Sequence, residues 1–188
     1  MSIETNSEAA PGDRAATRGH PGVPVEAFEV VVEIPKGSRN KYEYDHKRHV
    51  IFLDRRLFSA TTYPADYGFV PDTLAEDGDP LDVLVIVEEP TFPGCHLLAR
   101  PVGLFLMSDE HGPDAKVIAV PARDPRVAGV RGVADLTPGL PEEIAHFFEV
   151  YKDLEPGKAT SVKGFGGVEQ AVAEITAARE RYHAGHRS

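Results

Sequence analysis

From Phe28 onward, apolar and polar residues alternate, and that period predicts strands. Phe28, Val30, Val32 and Ile34 alternate with Glu29, Val31 and Glu33, and Pro35 and Gly37 end the run. Lys41-Tyr42-Glu43-Tyr44 alternates again, with Lys41 and Glu43 on one face and both tyrosines on the other. His49 to Arg55 reads as a third strand, and Tyr63 to Val70 as an extended segment punctuated by Pro and Gly. Leu81 to Val87 is a short buried strand, His96 to Met107 is one bent strand or two, and Ala115 to Val120 closes the series. No helix-sized segment separates one strand from the next, which argues against βαβ units and for a small antiparallel barrel or sandwich. Helices come late. Pro141 with Glu142 and Glu143 opens one whose face is Ile144, Phe147, Phe148 and Tyr151, and Pro156-Gly157 stops it. A second runs from about Val168 to Tyr182, with Ala171, Val172 and Ile175 inward.

Residues 1–25 hold few bulky apolar side chains and several Gly and Pro, which predicts a disordered tail. The remainder, 26–188, reads as a single domain. At 188 residues with 41% hydrophobic and 27% charged content, the chain has the composition of a soluble globular protein. Its formal net charge of -10 does not suit a nucleic-acid surface and does suit multivalent cations. Cys95 is the only cysteine, so no intrachain disulfide can form. The N-terminus lacks a secretory h-region, and no apolar run approaches the roughly 20 residues that span a bilayer. A cytoplasmic protein is the expectation.

The candidate chemistry centres on Asp77-Gly78-Asp79-Pro80-Leu81-Asp82, three carboxylates in a Gly- and Pro-stiffened turn at the mouth of a strand. Like charges 4 Å apart repel by roughly 4 kcal/mol at an effective dielectric of about 20. Such a cluster protonates, splays into water as an ordinary acidic turn, or holds cations. It is no EF-hand, because Gly stands second rather than sixth and an apolar strand fills the loop's second half. Carboxylate ligands without Cys or His at metal spacing favour Mg²⁺ or Mn²⁺ over zinc. Asp109 and Asp114 form a second acid pair at a strand connection, which read alone is a solvated hairpin loop. Both acid clusters lie at strand ends, where a barrel can bring them together. Lys41, Arg55, Lys116 and Lys152, with Tyr42, Tyr67 and Tyr151, offer the donors that phosphate oxygens need. Gly164-Phe165-Gly166-Gly167 fits neither a Walker loop nor a dinucleotide fingerprint, and no GxSxG or HExxH occurs. His46 and His111 adjoin the acid-bearing segments and read as surface histidines.

Several further motifs occur in order: Glu33-Ile34-Pro35, Leu53-Asp54-Arg55, Tyr63-Pro64-Ala65-Asp66-Tyr67-Gly68, Arg100-Pro101-Val102-Gly103, Asp114-Ala115-Lys116, and His146-Phe147-Phe148-Glu149-Val150-Tyr151-Lys152-Asp153-Leu154-Glu155. With the acid turn, they make the chain resemble the soluble family I inorganic pyrophosphatases of the short bacterial kind, from Phe28 to the second helix. The resemblance implies an α+β, mainly β fold: an OB-like closed antiparallel β-barrel with two C-terminal helices packed on it. It implies hydrolysis of pyrophosphate to two orthophosphates by several Mg²⁺ ions, with Mn²⁺ or Zn²⁺ as substitutes and a nucleophilic water bridging two metals. Asp77, Asp82 and Asp114 would bind the first metal, and Asp82 would bridge to a second. Asp109 and Asp114 would serve metals arriving with substrate, and Glu33 and Glu43 would act through metal-bound water. Lys41, Arg55, Tyr67, Lys116, Tyr151 and Lys152 would hold the phosphates. Asp79, or alternatively Asp114, would accept the nucleophile's proton. A homohexamer is implied by the same kinship. The chain departs from the pattern at Val150, where the family often has His, and after Lys163-Gly164, where no Trp follows. Two rival readings remain at this level. An OB-type module binding oligonucleotide or sugar would need exposed aromatics and a basic strip, against an acidic chain with 8% aromatics. A catalytically dead relative would need a lost ligand, and none is missing.

Overall fold

The computed structural model describes residues 27–185; the predicted tail lies outside them. Eight strands and two α-helices follow one another: β1 (Phe28–Ile34), β2 (Asn40–Asp45), β3 (Val50–Arg56), β4 (Asp66–Phe69), β5 (Asp82–Val85), β6 (His96–Asp109), β7 (Gly112–Pro121), α1 (Leu140–Val150), β8 (Thr160–Gly166) and α2 (Val168–Gly185). The main sheet runs β1-β4-β5-β7-β6-β8, and an added β1–β6 pairing closes five of its strands into a ring. This ring fits the closed barrel that the family resemblance implies, where the strand pattern alone left barrel or sandwich open.

The expectation of a wholly antiparallel barrel is corrected at one seam: β5 and β7 pair in parallel. The reason is arithmetic. Around a ring of five, strand directions cannot alternate throughout, so one neighbouring pair must agree. The other four pairings are antiparallel. The long apolar run is one strand, bent where its register with β7 shifts between Pro101 and Gly103, as a proline inside a sheet requires.

The alternation sorts the strands into two packed faces. Val83, Val85, Val117 and Ala119 join Ala171, Ile175 and Ala178 of α2. Leu84, Phe105, Met107, Ile118 and Val120 join Ile144, Phe147 and Phe148 of α1. Val172, read as inward, is 38% exposed. Ala178 takes the third inward position instead. Helix α1 begins at Leu140, one residue before Pro141, and Tyr151 caps it by donating its N–H to the Phe147 carbonyl (2.9 Å). The Ala115–Val120 segment is not the last strand. β8 follows α1 and pairs with β6, and its polar start, Thr160-Ser161, concealed it. β2 and β3 form a separate two-stranded ribbon.

Gly68 on β4 shows how closely the ring is packed. A Cβ there would meet the Val31 carbonyl oxygen at 2.0 Å and Val32 Cα at 2.8 Å, both backbone atoms of the paired strand. Gly68→Ala is expected to cost about 3 kcal/mol, the upper range for forced overpacking. Chemical denaturation checks this, and a variant of wild-type stability would contradict the close β1–β4 approach.

Candidate active site

Strand register brings the scattered acids together. Val83 faces Val117 and Leu84 faces Ile118 across the parallel seam. One step toward the strand mouth, Asp82 therefore lies beside Lys116. On β6, Phe105 faces Lys116, Met107 faces Asp114 and Asp109 faces Gly112. Because side chains alternate with period two, Asp82, Asp109, Asp114 and Lys116 share the α1 face of the ring. Tyr67 stands opposite Leu84 on β4 and reaches the same place.

Lys116 is the centre of this cleft and is 2% exposed. Its ammonium donates to Asp82 Oδ2 and to Asp114 Oδ1, each at 2.7 Å, and to the Tyr67 hydroxyl at 3.3 Å. It also lies 5.5 Å from the ring centroids of Tyr67 and Phe148. Burial alone would lower the lysine's pKa, but the charges of Asp82 and Asp114 reverse that and hold it above the ordinary lysine range. The Tyr67 hydroxyl donates to Asp82. Burial, followed by the charges of Asp82 and Asp114, holds this phenol neutral far above its usual range.

The acid turn is shaped by Gly78 at φ +94°, a conformation that favours glycine. The Asp79 N–H donates to Asp77 Oδ1 (3.0 Å), and the Ala75 N–H to the Asp79 carbonyl (2.7 Å). Asp79 is exposed overall, but partial desolvation of its carboxyl, then the charges of Asp77, Asp82 and Glu43, raise it above its usual range. His46, on the ribbon tip, opposes this shift and packs against Tyr44 and Phe69, with centroids 4.9 and 5.0 Å away. His111 is exposed beside Asp109, whose Oδ1 accepts its backbone N–H (2.8 Å).

The ribbon and the turn after α1 supply the cleft's other walls. Lys41 pairs with Glu43 and lies 3.7 Å from Asp54. Arg55 pairs with Asp54 and with Glu155. Lys152 donates to Asp109 Oδ2 at 3.0 Å, and Tyr151 is buried with its pKa raised by burial and by Asp114, Asp82 and Asp109. Burial would raise Asp109, but the His111 N–H and Lys152 draw it below the usual range. Tyr67, Asp82, Asp109, Asp114, Lys116, Tyr151 and Lys152 are thus brought together; Glu33 and Asp79 feel the charges of Asp82 and Glu43, Asp79 also that of Asp77, and Lys41 and Arg55 meet at Asp54. Three partners escaped the sequence reading: Asp54, Glu155 and Glu110. Glu110 accepts from Lys158 (2.6 Å), which pulls it down to about 2, and lies 3.6 Å from Lys152. The signal for Glu155 was its place in the motif that ends Tyr151-Lys152-Asp153-Leu154-Glu155.

Glu33 is perturbed in the opposite direction to Glu110. It accepts the Tyr44 N–H at 2.7 Å, yet burial pushes it up to about 7 from 4.5. A carboxyl whose folded pKa is raised binds extra protons in the native state, so its contribution to stability falls as pH rises from 4.5 to about 7. A shift of this size corresponds to roughly 3 kcal/mol. With chelator present, Glu33→Gln is expected to gain stability relative to wild type by about that amount across this window. Denaturation at several pH values measures it, and a difference independent of pH would contradict the burial.

The residues fit divalent cations by their chemistry, since the donors are all carboxylates. Asp82 Oδ1 and Asp114 Oδ2 accept no hydrogen bond from the described residues, while their other oxygens already share one cation, Nζ of Lys116. Among the described residues, no three Asp, Glu, His or Cys side chains converge closely enough to hold an ion as they stand. Lys116 and Lys152 lie between the acids and separate them, which is what unscreened carboxylates require. Two cavities, of about 240 and about 480 Å³, lie around Glu29 and share no residue with the cleft.

A small closed ring of strands with an acid- and lysine-lined cleft at its rim suits the handling of phosphate with divalent cations on an OB-like fold. The family model for inorganic pyrophosphatase matches residues 30–183. The inorganic pyrophosphatase of Streptomyces coelicolor is 56% identical over 155 residues, 82% of this chain and 95% of that one. That of Methanosarcina acetivorans is 53% identical over 153 residues, 81% of this chain and 90% of that one. The crystal structure of inorganic pyrophosphatase from Thermus thermophilus superposes with a TM-score of 0.82 at 47% identity, covering 92% of this chain and 95% of that chain. The chain belongs to the inorganic pyrophosphatase family. Membership implies dependence on divalent metal ions. No helix among the described residues is long and apolar enough to cross a membrane.

Proposed function

We propose that this protein hydrolyses inorganic pyrophosphate to two orthophosphates, with several Mg²⁺ ions held at the cleft carboxylates. The observation that carries the reading is the cation site at the parallel seam, where Asp82 of β5 and Asp114 of β7 grip one ammonium at 2.7 Å each. Asp77, Asp82 and Asp114 would hold the first ion, Asp82 would share a second, and Asp109 with Asp114 would hold ions that enter with substrate. Glu33 and Glu43 would act through water. When bound, such ions would neutralise the substrate's charge and acidify the attacking water.

The chain's own groups do the rest. Asp79 accepts the attacking water's proton; partial desolvation of its carboxyl, then the charges of Asp77, Asp82 and Glu43, raise its pKa, which suits a base. Asp114 is the alternative acceptor, but its engagement with Lys116 favours Asp79. Arg55 and Lys41 hold one phosphate from the ribbon side. Tyr67, Lys116, Tyr151 and Lys152 hold the other and stabilise charge on the departing oxygen. The phenols of Tyr67 and Tyr151 are kept neutral and so remain donors. The binding-module alternative is disfavoured because the cleft aromatics pack on one another: Phe148 and Tyr151 lie 5.4 Å apart by centroid and are buried. Exposed Phe52, Leu53, Phe58, Phe92 and Leu154 offer apolar surface that subunit contact could cover; a homohexamer and a cytoplasmic location are proposed.

A phosphate-release assay on pyrophosphate tests the reading. Turnover with Mg²⁺ and none with excess chelator is the expected result. Turnover unaffected by chelator, or none under any metal, would overturn it.

A further inference from the structure

The β2–β3 ribbon carries Lys41, Glu43 and Arg55 but is hydrogen-bonded as its own sheet. Its pose against the barrel therefore depends on contacts outside the main sheet's ladder: the Tyr44 N–H donates to Glu33, Tyr44 and His46 pack on Phe69, and across the cleft mouth Arg55 meets Glu155, 100 residues later in the chain. Nε donates to Oε1 at 3.1 Å, and Nη2 donates to Oε1 at 3.0 Å and to Oε2 at 2.8 Å. The Glu155 side chain is only 7% exposed, against 27% for Arg55. No other described residue donates to this carboxylate through a hydrogen bond. The Glu155 N–H donates to the Lys152 carbonyl at 2.8 Å, so the carboxylate belongs to the same tight turn as Tyr151 and Lys152.

We infer that Glu155 is a positioning residue for phosphate recognition: it grips Arg55 along the Nε edge and so aims the Nη1 end at substrate, at a fixed offset from Lys152. This rests on the reading of Arg55 and Lys152 as phosphate ligands given above. A guanidinium is a rigid planar fork, and a carboxylate on one edge fixes both its plane and its direction. The outer edge meets Asp54, whose side chain is 31% exposed and also lies 3.7 Å from Lys41. An entering phosphate therefore competes with a solvated carboxylate, while the buried one keeps its hold. This ion pair thus ties the phosphate donor of the ribbon to those of the turn after α1.

Steady-state hydrolysis of pyrophosphate with Mg²⁺, together with melting curves, tests this on the full chain. Glu155→Gln keeps the shape but loses the charge and one acceptor. It is expected to melt cooperatively, to raise KM about tenfold and to change kcat by less than about threefold. Glu155→Asp, which keeps the charge on a shorter arm, should fall between Gln and wild type. In an Arg55→Ala background, either substitution should raise KM no further, because the group it positions is gone. If the KM effects of Arg55→Ala and Glu155→Gln instead multiply, or if Glu155 variants lose melting temperature with wild-type KM, the role is overturned and Glu155 is a structural latch only. Should Glu155→Gln fail to fold, Glu155→Asp runs the same cycle with the same two outcomes. Absence of wild-type turnover would overturn the pyrophosphatase reading as well, whereas multiplying effects in an active wild type would overturn only the role of Glu155.

Discussion

Asp82→Ala and Asp79→Asn are each expected to cut pyrophosphate turnover by orders of magnitude, and for different reasons. Asp82 stands at the seam where three strands meet the acid turn, bound by Tyr67 and Lys116 through one oxygen. Removing it takes away a proposed metal ligand and the partner of a buried ammonium together. The loss should reach about three orders of magnitude, and metal binding should fall with it, since the ions' charge neutralisation goes too. Asp79 accepts no side-chain hydrogen bond from the described residues and sits at the solvent side of the turn. Its loss should cost about 10²- to 10⁴-fold, the range for a general base, while metal affinity stays near wild type. Phosphate release and a metal titration on both variants separate the two cases. Full activity in Asp82→Ala would contradict the ligand assignment, and full activity in Asp79→Asn would move the base to Asp114.

Lys116→Met carries the second large effect. A buried ammonium that holds two carboxylates in place is removed, and the acids are left facing one another. Breaking a buried ion pair by deleting one partner is typically worth 3–5 kcal/mol. Because Asp82 is 28% exposed, solvent relieves some of that, and a loss of about 3 kcal/mol is expected in chelator. Mg²⁺ should then stabilise the variant more than it stabilises wild type, because the ion supplies the missing positive charge. Turnover should stay at least about 10²-fold down even with Mg²⁺, because a phosphate donor is gone. Melting curves with chelator and with Mg²⁺, beside the release assay, measure all three. Equal Mg²⁺ stabilisation of both proteins would contradict a shared cation site.

The ring was legible in the sequence wherever local pattern decides the structure. Alternation at Phe28–Ile34 and the short apolar run after Asp82 announce their strands without help from the rest of the chain. Thr160–Gly166 did not announce itself, because β8 takes its pairing from β6 rather than from its own composition. The parallel seam was equally hidden. It follows from closure of an odd ring, which depends on pairings between distant segments. Val172 was misplaced by a helical turn's ambiguity in which small residues face inward, and Ala178 holds that position. The candidate site behaved similarly. Residue types and motif order named its acids and bases, but not how they are paired. That Lys116 lies between Asp82 and Asp114, or that Glu155 holds Arg55, comes from register and from a turn that returns to the ribbon.

A titration of Mn²⁺ into substrate-free protein, read by equilibrium binding, bears most directly on the convergence of acids from separate strands. Wild type is predicted to bind the ion tightly, and Asp82→Asn on β5 and Asp114→Asn on β7 are each predicted to lose that tightest site. Retention of the wild-type tight site in either variant would contradict the account.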